Sequence, residues 1–471
     1  MVLTPLVGFW LASSLAAYQN ATQWLALLVG LLLFPLIPVG WELFYAWRRT
    51  KQEIPRKQIL TRIDRLVLRT LIVNGAFLIV MLWFGRTTAF RSVSMRGDWM
   101  FDGHDGPIAT KIRSVLLAIG DRLDKRREPD DDRFGSSDEA PDPTKVKPRR
   151  EPTPTPTAGT TPPKDASGWP YPDEADTKIA NMPLTAQASI DSVGAYIKEQ
   201  FPDRKQRVKA LHDYVALRLS YDTEGLAKSK AGTAPRPSQL PADVFASKLA
   251  VCEGYARLMV AIGAAASVEV KYVTGWIRDS ERRLAATDDT AKEGLQGYLH
   301  AWNAVLVDDE WFLVDATWDD SEDSDKPIRS NYLFTPPQLF AYDHLPEDPA
   351  WQLVVKPISL GDFARQPFMS PALGRLGLTL ESPTRSQITV RGTATLELAN
   401  PYDAEVVAVA RPDNGRRGSG RENRCEISTL AKKTTVTCEL DDGEYQITVF
   451  AKSAGASGSY QHVGSILANS H

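Results

Sequence analysis

The chain lacks most of the signatures of metal, nucleotide and nucleic-acid sites. Its 471 residues include only three cysteines, Cys252, Cys425 and Cys438, with no C-x-x-C pair, which argues against a zinc or iron–sulfur site. It has no glycine-rich phosphate loop and no basic stripe with interleaved aromatic residues, and its formal net charge is −3. These absences argue against nucleic acid as a partner, and no metal ligand set is evident.

Two apolar runs near the start predict membrane spans. The first, with its core at 24–41, contains no charge, and a run of roughly 18–20 apolar residues can cross a bilayer as a helix. The second covers 66–84, with Arg69 near its start able to reach the interface. Seven lysines and arginines lie between them, at 48–65. The positive-inside rule places this loop in the cytoplasm and the chain after it on the outer side.

Residues 2–18 are a shorter third candidate, interrupted by Ser13 and Ser14. We therefore predict a membrane region at 1–86, with two or three transmembrane helices and the lipid bilayer as a partner. The alternative is that these segments are buried core helices. The compact N-terminus favours a bacterial inner membrane, with the remaining chain on its periplasmic or outer side.

The composition then changes along the chain. Residues 87–127 form a juxtamembrane segment in which 107–126 has apolar residues at helical spacing. Residues 128–180 are rich in proline and charge, which predicts a disordered tether.

A globular domain is predicted for 181–372, with helices near 187–200 and 203–219. His212 on the second helix is interpreted as a packing or surface histidine rather than a catalytic one.

The C-terminal part, 373–471, has short runs of alternating apolar residues separated by turn signals such as P-D-N-G and D-D-G. This spacing predicts an all-β, Ig-like antiparallel sandwich of roughly seven strands. Cys425 and Cys438 fall in two of the runs and would pair as a disulfide, which the outer compartment favours. The alternative is two buried free thiols.

Three residues in a fixed order carry the chemical information. Cys252 begins a predicted helix, in V-C-E-G-Y-A, where the helix N-terminus stabilises an anionic thiolate. His300 lies at the start of a strand, in L-H-A-W-N-A-V, and Asp315 in the next strand, after a short turn at Asp308–Asp309. A thiol, an imidazole and a carboxylate make a nucleophile, its base and the group that orients the base. A lone cysteine would be structural, and a histidine–aspartate pair can be purely structural too.

These segments also resemble a known family. V-C-E-G-Y-A, H-A-W-N and V-D-A-T-W-D-D are similar to the three signature segments of the transglutaminase-like superfamily, in the same order and spacing. The upstream L-S-Y-D resembles the segment that these domains carry before the nucleophile helix, and the later N-Y-L-F-T-P-P-Q-L-F resembles the kyphoscoliosis peptidase-like branch. The resemblance covers about 187–356. Ala250, where many members have glycine, is a mild departure.

The resemblance implies a papain-like α+β core, in which a helix bearing Cys252 packs on an antiparallel sheet that supplies His300 and Asp315. It implies acyl transfer through a thioester on a peptide or Gln amide bond, so the partner would be a protein or peptide substrate. The Cys252 backbone N–H and, more weakly, Tyr221 or Trp302 would bind the oxyanion or substrate.

Hydrolysis by a peptidase is favoured over cross-linking by an acyltransferase, because nothing marks a site for an acyl acceptor. The rival interpretation is a catalytically inactive, transglutaminase-like binding scaffold of the cell envelope. Polar insertions at 223–242 and 279–297 would form substrate walls or a lid, or would occlude the cleft. No cofactor is predicted; the acidic run at 319–325 could bind calcium, but a solvated loop is favoured.

Overall fold

A computed structural model describes residues 3–18, 23–50, 60–84 and 168–471, with gaps at 279–298, 322–327, 355–356, 359–361, 364–365 and 413–422, and isolated positions between 92 and 165. The chain divides into two compact units. The first contains 1–129 with two short later segments, 285–293 and 359–365, and the second contains the remainder.

The N-terminal unit is helical where it is described. Its helices are α1 (Leu3–Tyr18), α2 (Gln23–Leu31), α3 (Ile37–Thr50) and α4 (Arg62–Phe84). A π-helical turn at Leu32–Leu36 joins α2 to α3, and Phe34 there leaves the helical conformation just before Pro35.

One helix among the described residues, Leu25–Arg48, is long and apolar enough to cross a membrane. It coincides with the first predicted span. The second predicted span falls on α4, and 2–18 falls on α1, whose apolar part Pro5–Ala16 is shorter.

Arg69 of α4 lies against α3 rather than extending away along its own helix. Its guanidinium bonds Glu42, which also bonds Arg65 at 2.8 Å. The same guanidinium lies 5.4 Å from the Trp41 ring centroid and 5.0 Å from that of Tyr45. The charge that interrupts the second apolar run is therefore neutralised by a helix neighbour.

The second unit begins with helices and ends with strands. Its helices are α5 (Thr177–Ala180), α6 (Ile190–Gln200), α7 (Arg204–Arg218), α8 (Thr223–Lys230), α9 (Pro241–Ser247), α10 (Cys252–Ala265), α11 (Ala316–Asp319), α12 (Pro337–Phe340) and α13 (Ala372–Arg375). Its first eight strands are β1 (Ser220–Tyr221), β2 (Leu249–Ala250), β3 (Glu269–Ile277), β4 (Leu299–Val307), β5 (Glu310–Val314), β6 (Leu333–Thr335), β7 (His344–Pro346) and β8 (Phe368–Met369).

An antiparallel five-stranded sheet, ordered β6-β5-β4-β3-β7, organises the middle of the chain. The α10 helix packs on β3 and β4, and α6 and α7 complete the core on that side. The opposite face carries an aromatic cluster that includes Trp302, Tyr332 and Phe340. This is a mixed helix-and-sheet core, as predicted. The β4–β5 turn is Asp308–Asp309, both with positive φ, which suits a two-residue hairpin.

Gly275 lets two strands approach each other beside His300. It pairs with His300 on β4 and with Pro346 on β7. A Cβ at this position would lie 2.1 Å from the Leu345 carbonyl oxygen and 2.6 Å from the Trp302 ring. The register of β7, the strand that begins with His344, therefore requires glycine here.

The C-terminal region is rich in strands, as predicted. The strands in its described residues are β9 (Thr379–Ser382), β10 (Gln387–Val390), β11 (Thr393–Ala399), β12 (Glu405–Pro412), β13 (Asn423–Arg424), β14 (Glu426–Leu430), β15 (Lys433–Glu439), β16 (Gly443–Lys452) and β17 (Gln461–Ser470). They form two sheets around one apolar core, β10-β17-β16-β12-β13 and β14-β15-β11-β9, with β8 added to β17. All pairs are antiparallel except β10 with β17.

Cys425 and Cys438 form a disulfide where the chain passes between the two sheets. Cys425 lies between β13, which pairs with β12, and β14, which pairs with β15. Its S–S distance to Cys438 of β15 is 2.04 Å, and the Cα atoms are 4.4 Å apart.

The structure differs from the predicted tether at two places. Trp169 is 5% exposed and Ile179 fully buried, so the chain from 168 already belongs to the folded unit. Further upstream, Asp138 donates its N–H to the Tyr272 carbonyl at 2.9 Å, and Trp351 donates to the Asp138 carbonyl at 3.2 Å. Buried apolar side chains hold the chain at Trp169 and Ile179, and backbone hydrogen bonds hold it at Asp138. Apart from Ile112 and Val115, the predicted helix at 107–126 lies outside the described residues.

Replacing Cys425 and Cys438 together by serine should loosen β14 and β15. Removing a cross-link that closes a short loop costs about 3 kcal/mol, because the open chain gains conformational entropy. We expect amides of β14 and β15 to exchange faster in hydrogen-exchange mass spectrometry, with amides of α10 as the internal control. Unchanged exchange in β14 and β15 would contradict a stabilising disulfide.

Candidate active site

Cys252 is the first residue of α10, and its position is set by the strand before it. β2 pairs in parallel with β1, with Tyr221 opposite Ala250. Val251 is the N-cap, and its side chain caps no N–H group of the first turn. As in any helix, the N–H groups of the first turn point toward the N-terminal end, where the thiol lies. Cys252 is 4% exposed, and it is the free cysteine of the chain. A buried sulfur at a helix N-terminus is favourably placed for an anion.

The predicted insertion at 223–242 packs beside this turn. Gln239 accepts the Val251 N–H at 3.0 Å, and a Cβ at Gly254 would lie 2.6 Å from the same Gln239 oxygen. The glycine in the first turn of α10 therefore accommodates this protein side chain. Arg236 of the same segment bonds Glu253 at 2.7 Å. The second insertion, 279–297, lies outside the described residues.

His300 lies between the thiol and a carboxylate. Its Nε2 is 2.6 Å from Oδ2 of Asp315, and the imidazole lies near enough to Cys252 to interact with the thiol. Because Nε2 is engaged, Nδ1 is the ring nitrogen that remains for the thiol. Asp315 follows β5 directly and caps α11, where its Oδ1 accepts the N–H groups of Thr317 and Trp318 at 2.8 and 3.3 Å. It was predicted inside a strand; it lies just beyond the end of one.

The electrostatics favour a charged imidazole beside a carboxylate. Burial disfavours the imidazolium, but attraction to Asp315 and Cys252 outweighs this and raises the pKa of His300 to about 10. Burial would likewise raise the pKa of Asp315, but the charge of His300 and hydrogen bonds from His300 and His344 hold it well below its usual range. The arrangement is therefore suited to hold a proton on His300 and a negative charge on Asp315 at neutral pH.

The two weaker candidates are placed differently. Tyr221 is 40% exposed, and its pKa is raised by partial burial and by the nearby Cys252 and Asp315. Trp302 packs in the aromatic cluster on the same face of β4 as His300, with its ring centroid 6.1 Å from that of His300. Its Nε1–H has no hydrogen-bond partner within the described chain. The structure therefore places Tyr221 near Cys252 and Trp302 beside His300.

A second histidine contacts the same carboxylate and was not singled out from the sequence. His344 at the start of β7 has its Nε2 3.1 Å from Oδ2 of Asp315 and its Nδ1 2.6 Å from Oδ1 of Asp343. Among the described residues, His300, Asp315 and His344 are the one group of metal-type ligands whose atoms all lie within 4.8 Å of each other. Hydrogen bonds between those atoms already account for their proximity, so we assign no metal to them.

The other acids of V-D-A-T-W-D-D are also engaged. Asp319 is fully buried; its Oδ2 is 3.0 Å from Nε2 of His212, whose Nδ1 is 3.1 Å from Asp213. Asp320 accepts the Tyr255 hydroxyl at 2.5 Å. These two acids join the segment to α7 and α10; 322–327 lie outside the described residues. His212, predicted to be a packing or surface residue, is a buried bridge between two carboxylates.

Comparison with known proteins agrees with this geometry. Residues 192–316 match the model of the transglutaminase-like superfamily. Kyphoscoliosis peptidase of Mus musculus is 29% identical over 257 residues, which cover 50% of this chain and 37% of that protein. The Homo sapiens protein of the same name is 27% identical over 255 residues, with the same coverage. The chain thus spans well under half the length of these curated relatives.

A solved structure described as a TGase is 21% identical, with a TM-score of 0.21 over 31% of this chain and 36% of that one. Because that score is low, the domain assignment rests on the family match and on the curated relatives. The chain contains a transglutaminase-like domain, and it is similar to the kyphoscoliosis peptidases over half its length.

The buried His212 bridge predicts a pH-dependent stability. Burial lowers the pKa of His212, but its bonds to Asp213 and Asp319 outweigh this and raise it from 6.5 to about 9. The stabilising contribution is complete below about pH 6.5 and is lost as the pH rises through about 9. We expect His212→Gln to remove this component, measured by urea unfolding followed by tryptophan fluorescence at several pH values. His462→Gln is the control, and equal pH slopes in His212→Gln and wild type would contradict the bridge.

Proposed function

We propose that this protein is a membrane-anchored cysteine acyl-transfer enzyme that acts on peptide or Gln amide bonds. The observation that carries the proposal is the convergence of Cys252, His300 and Asp315: the imidazole bonds the carboxylate and interacts with the thiol, which lies at the N-terminus of α10. A series in which a carboxylate fixes an imidazole against a thiol is the arrangement that activates a nucleophile. The transglutaminase-like domain and the peptidase relatives support the same reaction class.

The reaction follows from the positions of the protons. The Cys252 thiolate attacks the carbonyl carbon of the amide, and the Nδ1–H of the His300 imidazolium is transferred to the departing amine. A thioester to Cys252 remains. His300, now neutral, takes a proton from water as the water oxygen attacks the thioester, which releases the acid and restores the thiolate–imidazolium pair.

Charge on the carbonyl oxygen needs hydrogen-bond donors in the first step. We assign this role to the Cys252 backbone N–H and the Tyr221 hydroxyl. The hydroxyl remains protonated because the pKa of Tyr221 is raised. The β1–β2 pairing places Tyr221 opposite Ala250, which is two residues before Cys252. Trp302 is the weaker candidate because its ring packs within the aromatic cluster, against Phe340 and His344.

We propose hydrolysis rather than cross-linking, and no cofactor is required by these steps. The rival function is a binding scaffold in which the same residues do not turn over. One observation favours the rival: Cys252 is only 4% exposed, so a substrate could reach the thiol only after neighbouring residues moved.

The setting of the enzyme is also a proposal. Leu25–Arg48 is long and apolar enough to span a bilayer, and large apolar side chains on α3 and α4, such as Leu43, Ile79 and Trp83, are 64%, 67% and 80% exposed. The basic loop at 48–65 would lie in the cytoplasm, with the catalytic domain on the periplasmic side of a bacterial inner membrane. The C-terminal strands would form an Ig-like sandwich whose disulfide suits that oxidising compartment.

Alkylation of Cys252 by iodoacetamide as a function of pH tests the mechanism. Without reductant, Cys252 is the thiol that reacts, because Cys425 and Cys438 are bonded to each other. We expect rapid alkylation to persist well below about pH 8.5, where a free thiol ionises, because the imidazolium of His300 stabilises the thiolate. His300→Ala should restore the pH dependence of an ordinary thiol.

Substitution of the triad then tests turnover. Cys252→Ala should abolish amide cleavage while preserving the fold, and Asp315→Asn should slow cleavage by about 10⁴-fold, as loss of the correct tautomer does in an analogous triad. Peptide libraries analysed by mass spectrometry provide the assay, and the unfolding temperature controls for folding. Cleavage that survives Cys252→Ala would refute the mechanism, and a slow thiol in the wild type would favour the scaffold.

Membrane anchoring predicts behaviour on extraction. The full chain should remain with membranes after alkaline carbonate washing, whereas a chain without residues 1–86 should be released, because the apolar helices are then missing. Immunoblotting of the pellet and supernatant measures this. Release of the full chain by carbonate would contradict anchoring by these helices.

A further inference from the structure

A second dyad, His344 and Asp343, lies behind the proposed catalytic residues and has no part in the mechanism above. His344 shares Oδ2 of Asp315 with His300, at 3.1 and 2.6 Å. Its other ring nitrogen is 2.6 Å from Asp343, and the second oxygen of Asp343 accepts the Tyr332 hydroxyl at 2.5 Å. The five side chains therefore form one continuous series that begins at the imidazole facing Cys252.

The backbone closes this series into a ring. The N–H of Asp315 donates to the carbonyl oxygen of Tyr332 at 3.0 Å, while the hydroxyl of the same tyrosine bonds Asp343. One residue thus holds the catalytic carboxylate by its main chain and the supporting carboxyl group by its side chain. Movement of Tyr332 would disturb both ends of the His344 connection.

The position of the protons follows from the charge of Asp315. Because Asp315 is held ionised, each ring nitrogen that contacts its Oδ2 must carry a hydrogen. His344 therefore donates from Nε2, and its Nδ1 shares a proton with Asp343, the pKa of which is raised by burial. This arrangement supports the carboxylate without adding an uncompensated charge to the interior.

The surroundings of His344 make a purely space-filling role costly. The ring is 1% exposed and lies 4.2 Å from the centroid of Phe340, 4.4 Å from that of Trp318 and 5.2 Å from those of Trp302 and Tyr332. An apolar ring would fill this aromatic pocket without the desolvation cost of an imidazole. The polar contacts with Asp315 and Asp343 are what the histidine adds.

We infer that His344 is a positioning residue for the proposed acyl transfer: it holds Asp315 so that His300 keeps Nε2 on the carboxylate and Nδ1 on Cys252. The inference rests on the proposed function. Loss of the hydrogen bond from His344 destabilises the ionised form of Asp315. The carboxylate then stabilises the His300 imidazolium less, and the imidazolium stabilises the Cys252 thiolate less. The observable consequence is a smaller fraction of reactive thiolate at low pH.

Other titratable or charged groups face this network and belong to its titration. Tyr221 lies near Cys252 and Asp315, Tyr272 lies near Cys252, and Tyr255 lies near Asp315. Asp319 lies near Asp315, and Arg278 lies near Asp343. None of these residues is altered in the test, so their contributions cancel between variants.

Two isopolar variants of His344 separate positioning from packing. The amide nitrogen of Gln can reach the position of Nε2 and donate to Asp315, whereas the shorter Asn reaches only toward Asp343. The full chain, purified in detergent, is alkylated with iodoacetamide from pH 5 to 10, and thermal unfolding reports folding. If His344→Asn does not fold, His344→Phe replaces it, because Phe fills the aromatic pocket without a donor.

We expect His344→Asn to lose roughly tenfold of the alkylation rate near pH 6, since a hydrogen bond to a charged group is lost. His344→Gln should retain most of the wild-type rate. Asp343→Asn should also retain it, because its amide can donate to Nδ1 of His344 while its oxygen accepts from Tyr332.

The outcomes distinguish this inference from the proposed function. If the wild type alkylates rapidly at pH 6 and His344→Asn does the same, or Gln and Asn lose the rate equally, then His344 has only a structural role and the inference is refuted. If the wild type itself shows no rapid alkylation below the pH of an ordinary thiol, the proposed function fails first. Restoration by Gln but not by Asn supports positioning.

Discussion

A carboxylate taken out of water needs all of its lone pairs occupied, and Asp315 imposes this constraint on the centre of the molecule. One oxygen accepts two backbone N–H groups from the first turn of α11, and the other contacts His300 and His344. Meeting these four contacts requires the end of β5, the start of β4 and the start of β7 to converge on one point. The order of the five strands brings these strand ends close to one another.

The other two acids of the same segment bind it to further elements of the fold. Asp319 bonds His212 on α7 and accepts the backbone N–H groups of Asn331 and Tyr332, and Asp320 bonds Tyr255 on α10. Each acid thus joins the sheet to a different neighbouring element. This explains why three carboxylates cluster in seven residues, and why Cys252 on α10 is held in register with His300.

Local patterns predicted the parts of the site that are local. The start of α10 at Cys252 and the turn at Asp308–Asp309 were evident because helix and hairpin signals extend over a few residues. His344 was missed because its contact depends on β7 pairing with β3 at Gly275, a long-range arrangement that no local pattern encodes. His212 was underestimated because apolar periodicity marks the buried face of a helix but does not identify a partner such as Asp319 on a distant segment.

The disulfide has a mechanical consequence for the C-terminal strands. Cys425 lies at the crossing between the two sheets, and its bond to Cys438 encloses the β14–β15 hairpin, a sequence separation of 13 residues. Under tension, the enclosed hairpin cannot contribute to chain extension while the bond is intact, because the load passes through the two sulfur atoms. Reduction would release about 40 Å of hidden length. The extensibility of this region would therefore depend on the redox state of its surroundings.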